Sequence, residues 1–62
     1  MIDISVIVIN WNGRQYLQAC LDALAAQRDV AFETIVVDNA STDGSLELLR
    51  EQFPAVRVVA LP

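Results

Sequence analysis

The chain has 62 residues, 55% of them apolar, and a formal charge of −4. A chain this short holds one small domain and buries only about 60% of its unfolded surface, so it leans on a partner or belongs to something larger. Its apolar content excludes disorder, its acidity and four scattered arginines exclude a nucleic-acid binder, and its single cysteine excludes a disulfide framework. No basic segment opens the chain, and no apolar run approaches the roughly 18 residues of a membrane span, so a cytoplasmic location is expected.

Ile4–Ile9 reads ISVIVI, nearly unbroken and β-branched, which predicts a strand buried on both faces of a parallel sheet covered by helices. Asn10 to Gly13 breaks that run. Leu17, Cys20, Leu21 and Leu24 then recur at helical spacing and predict a helix over Arg14–Gln27, with Cys20 as a core thiol and Arg28 at the negative pole. Phe32–Val37 predicts a second strand. Ser41, Thr42 or Asp43 can cap a second helix, which carries Leu46, Leu49 and Phe53 on one face and is closed by Pro54. Val56–Leu61 predicts a third strand.

The order β-α-β-α-β predicts an α/β fold of parallel strands with right-handed crossovers, the first half of a doubly wound, Rossmann-like sheet in the order 3-2-1. A fourth strand would lie beside the first. Here that edge reads as bare, apolar and open to another chain. The chain is expected to be natural at Met1 and cut after Pro62.

In such a sheet the loops that follow the strands share one carboxyl edge, where ligands bind. Asn10-Trp11-Asn12-Gly13 should therefore face Asp38 to Gly44. An aromatic plane and a strand-end carboxylate suit a nucleobase, and neighbouring helix N-termini suit a diphosphate. Each residue also has a plainer role. Asp38 can form an Asx turn, Trp11 can lie as a lid on the core, and Asn10 and Asn12 can cap the first helix. Ser41, Thr42 and Asp43 can cap the second, and Gly13 and Gly44 can serve tight turns.

Several sharper sites are excluded. A dinucleotide fingerprint needs three spaced glycines where the chain has two, and a phosphate loop needs a lysine, which is absent. Asn39, Ser41, Asp43 and Gly44 match the start of a calcium loop, but Arg50 stands where the bidentate Glu belongs. The absence of histidine removes the usual triads and most zinc sites.

SVIVINWNGRQYLQACLDALAAQ followed by FETIVVDNASTDGSLELL resembles the N-terminus of family 2 glycosyltransferases of the GT-A fold. The WNG and VDNASTDGS pair is most similar to the rhamnosyltransferase-like branch. The resemblance implies that Trp11 stands where the family has the ring that stacks on the donor base. It puts Asp38 and Asn39 where two acids contact base and ribose, with Asn39 a departure, and Asn10 in the same pocket by position. It further implies a divalent metal, Mg or Mn, whose Asp-x-Asp ligands lie outside this chain, as does the general base.

Residues 1–62 are thus expected to be the N-terminal nucleotide-sugar-binding segment of a GT-A domain, holding no catalytic group. The parent enzyme would transfer a sugar from a dTDP- or UDP-linked donor, rhamnose among the candidates, to a glycan or lipid-linked acceptor at the inner face of the membrane. The alternative is a small non-catalytic α/β module that forms a homodimer through the bare edge of its first strand.

Overall fold

The structure, a computed structural model, describes residues 4–27 and 31–62. Five elements follow in chain order: β1 (Ile4–Asn10), α1 (Arg14–Ala25), β2 (Phe32–Asn39), α2 (Ser45–Gln52) and β3 (Arg57–Leu61). The strands form one parallel sheet in the order β1-β2-β3. Ile7 lies opposite Ile35, Asn10 opposite Asp38, and Val37 opposite Val59. α1 ends two residues earlier than its apolar pattern predicts, and Arg28 lies outside the described residues.

Both helices pack on the same face of the sheet. Leu17 and Leu21 of α1 meet Leu48 and Leu49 of α2 over Val36, with Val8, Leu24, Phe53, Val56 and Val58 closing around them. Two successive crossovers of one hand between strands laid side by side bring both helices to one side. Because strand side chains alternate, Val8, Val36 and Val58 turn inward while Ile7, Ile9, Val59 and Leu61 turn away.

That geometry corrects the expectation that β1 is buried on both faces. Ile7 and Ile9 are 61% and 70% exposed, and nothing among the described residues covers their face. Cys20 is also exposed rather than a core thiol. The α1 stripe that meets the sheet is Leu17, Leu21 and Leu24, and Cys20 falls beside it, toward the unpaired edge of β1. On α2 the buried residues are Ser45, Leu48 and Leu49, and Leu46 is only half-buried. The landing of α2 against α1 sets that phase, and α2's own apolar pattern does not.

If the sheet is one-sided, two deletions of similar size must differ sharply. Leu49→Ala empties a fully buried position and is expected to cost about 2–5 kcal/mol, enough to unfold a core this small. Ile9→Ala on the open face is expected to change stability by less than about 0.5 kcal/mol. Urea melts of the two variants check this, and equal losses would contradict it.

Candidate functional site

The carboxyl edge is built on one buried pair. Asn10 ends β1 and Asp38 stands one residue before the end of β2; they face each other in register and are 5% and 0% exposed. Asn10 Nδ2 donates to Asp38 Oδ1 at 2.8 Å. The Ser41 hydroxyl donates to the same oxygen at 2.7 Å, and the Ser41 N–H donates to Asp38 Oδ2 at 3.0 Å. Burial alone raises the pKa of Asp38. The bonds from Asn10 and Ser41 outweigh burial and the nearby Asp43 charge, holding the carboxyl below its ordinary range. Asp38 is therefore the centre of a closed turn, as its Asx-turn reading allowed.

A second link joins the two loops directly. The Asn12 N–H donates to Ser41 Oγ at 2.9 Å, and the Thr42 N–H donates to Asn12 Oδ1 at 2.7 Å. Asn12 adopts φ 50° and Ala40 φ 55°, both in the left-handed region. Asparagine tolerates that region better than alanine does.

Asp43 makes the third link. Its Oδ2 accepts the Arg14 N–H at 3.0 Å and its Oδ1 accepts the Ser45 N–H at 3.1 Å, together with the Ser45 hydroxyl. Arg14 and Ser45 are the first residues of α1 and α2, so one carboxylate serves both helix N-termini. Those bonds, from the Ser45 hydroxyl first and then the Arg14 N–H, lower the pKa of Asp43. The anion that the paired N-termini attract within this chain is thus its own Asp43. Neither helix has a side-chain bond from its N-cap residue, Gly13 for α1 and Gly44 for α2, and neither Asn10 nor Asn12 caps α1.

The two glycines differ in reason. Gly44 needs its freedom, with φ at 87°. Gly13 has an ordinary φ but no room, since a Cβ there would stand 2.6 Å from Asn10 Oδ1.

The four residues singled out in the sequence separate into two kinds. Asn10 and Asp38 are buried and bonded to each other. Trp11 is 69% exposed and lines a groove of about 250 Å³ with Asn10, Val8, Tyr16 and Cys20, among others. Asn39 is exposed and, by strand alternation, faces away from Asp38 toward the open side of the sheet. Sequence reasoning missed the Asn12 clasp and the double role of Asp43. The signal for the first was an asparagine directly before a tight turn.

Among the described residues no three His, Cys, Asp or Glu gather to hold an ion, and each oxygen of Asp38 and Asp43 already accepts at least one bond from an N–H or O–H group. These residues do not fit a divalent metal. Among the described residues, no helix is long and apolar enough to cross a membrane.

Three consequences of this bonding can be measured. Asp38 and Asp43 have folded pKa values below their unfolded ones. Their stabilisation is therefore present above about pH 4 and lost as pH falls through the lowered folded values. Thermal melts should hold steady from neutral pH to about 5 and drop below about 4; a midpoint that rises on acidification would contradict the bonding. Gly13→Ala is expected to cost about 1–3 kcal/mol through its clash with Asn10. Ala40→Gly should instead gain up to about 1 kcal/mol by relieving a left-handed alanine, as calorimetry can check.

The sequence pattern of glycosyl transferase family 2 matches residues 5–62. The chain is 39% identical over 54 residues to an uncharacterized glycosyltransferase of Nostoc sp., covering 82% of this chain and 17% of that protein. It is 42% identical over 48 residues to the glycosyltransferase GlyA of Streptococcus pneumoniae, covering 77% and 7%. A teichoic acid poly(glycerol phosphate) polymerase of Staphylococcus epidermidis is 35% identical over 48 residues, covering 77% and 7%. The chain thus spans less than a fifth of the length of each of these relatives. No solved structure matches it. By the match over nearly its whole length, the chain belongs to glycosyl transferase family 2.

Proposed function

We propose that this chain supplies the base-recognising part of the donor site of a glycosyltransferase. That enzyme moves a sugar from a nucleoside diphosphate to a hydroxyl of a glycan or lipid-linked acceptor, by displacement at the anomeric carbon. The observation that carries the reading is an exposed Trp11 that directly follows Asn10 of the buried Asn10–Asp38 pair, at the carboxyl edge of a parallel sheet. An aromatic plane at that edge offers a base the stacking surface that every nucleobase can use.

In this reading Trp11 and Asn39 touch the nucleotide, and Asn10 and Asp38 hold the edge in shape. Asp38 Oδ2 accepts one bond and keeps capacity for a base N–H, which reaches it only if the loop at Ala40 to Asp43 yields. The WNG and VDNASTDGS motifs support a dTDP- or UDP-linked donor such as rhamnose. The three strands then form the 3-2-1 half of a doubly wound GT-A sheet, with the next strand along β1. The metal ligands and the general base come from outside these 62 residues, and the isolated chain is inactive. A lipid-linked acceptor would put the reaction at the cytoplasmic face of a membrane.

A second reading has its own support, because β1 pairs with β2 alone among the described residues and leaves one edge unpaired. Two copies could join there as a non-catalytic dimer.

Titration with dTDP, UDP, GDP and ADP, followed amide by amide in NMR, separates the two. The donor reading expects shifts confined to the Asn10–Gly13 and Asp38–Gly44 loops with a pyrimidine nucleotide. It also expects Trp11→Ala to weaken that nucleotide by about tenfold or more in the enzyme that carries this chain. Unchanged donor affinity after that substitution would sink the reading, and a concentration-dependent dimer indifferent to nucleotides would favour the second.

A further inference from the structure

We infer that Asn12 is the positioning residue for the Trp11 ring, an assignment that rests on the base-stacking reading above. Trp11 stands in a bend between two anchored neighbours and is itself largely exposed. On one side Asn10 is tied to Asp38. On the other Asn12 is held at two points, its N–H on Ser41 Oγ at 2.9 Å and its Oδ1 under the Thr42 N–H at 2.7 Å. A single tether would leave the backbone free to rotate about the bond. Two bonds running in opposite directions fix the backbone and the side chain of Asn12 together.

Residue type matters here. Asn12 sits at φ 50°, a conformation that favours asparagine over other residues with a Cβ. Glycine would accept the backbone but could not bond Thr42, and alanine would resist both. Gly13 then turns tightly against Asn10, so the chain on each side of Trp11 is fixed relative to the end of β1. The ring itself lies along a groove with Tyr16 and Val8 without being enclosed. Its order comes mainly from the backbone clasp and little from packing. A ring ordered in advance loses less freedom when a base stacks on it.

Time-resolved fluorescence anisotropy reads this directly in the full chain, because Trp11 is its one tryptophan. Asn12→Gly is expected to raise the amplitude of fast ring motion while the far-UV dichroism is retained. It should also weaken dTDP or UDP roughly three- to tenfold. Asn12→Asp keeps an acceptor oxygen and tolerance of the left-handed backbone, so it is expected to restore the native decay. A native decay in a folded Asn12→Gly variant overturns the inference.

Should that variant lose its dichroism, the unsubstituted chain decides. The Thr42 amide must then be protected from hydrogen exchange and the Trp11 decay must lack a dominant fast phase; free exchange at Thr42 overturns the inference. Nucleotides that leave Trp11 emission unchanged in the unsubstituted chain count against base stacking alone, since the ring-order comparison needs no ligand.

Discussion

A carboxylate taken out of water must find a donor for its oxygens, and Asp38, near the end of the central strand, has no solvent to turn to. Its donors come from two places distant in sequence, Asn10 on β1 and Ser41 in the following loop. The first requires β1 and β2 to lie in parallel with Asn10 opposite Asp38. The second requires the chain to double back within three residues, which forces Ala40 into the left-handed region. Magnitudes decide that compromise. A left-handed alanine costs about 1–2 kcal/mol, and bonds to a charged group contribute about 1.5–3 kcal/mol each, so the two from Ser41 hold the loop against its strain.

Ser41 carries the bonding outward. Its hydroxyl donates to Asp38 and accepts the Asn12 N–H, so the buried carboxylate and the exposed loop share one atom. Asp43 closes the arrangement on the far side by bridging the first residues of both helices. The result is an edge whose polar groups are mostly turned on one another, with Trp11 projecting from it. Among the described residues no buried side-chain nitrogen or oxygen lacks a partner. This saturation separates residues that shape the edge from residues left exposed on it.

Among the described residues the sheet is apolar on both faces but covered on one. Val36 lies under both helices, while Ile7 and Ile9 stand in the open on the opposite face. Exposed β-branched residues in adjacent rows are unusual for a chain this small, and they match a segment that spans under a fifth of each of the relatives compared. The near-continuous ISVIVI run is legible in the sequence as a strand suited to burial on both sides, and only one side is met among the described residues. Cys20 and Leu46 fail as core residues for a related reason. Helical spacing says which residues share a stripe, but the neighbours a helix finds decide which stripe is buried.

The sequence alone determined the kind and order of the five elements, because the periods of strand and helix are written in local side-chain patterns. It also marked Asn10, Trp11, Asp38 and Asn39 as the chemistry at one sheet edge, since strand ends and loop composition are local too. Tertiary structure decided which of these groups is consumed and which is presented. Asp38 meets Asn10 across 28 positions of chain, and Asn12 meets Ser41 and Thr42 across 29 and 30. Strand register and helix placement set those meetings. No local pattern encodes where a hydrogen bond between such distant residues will close.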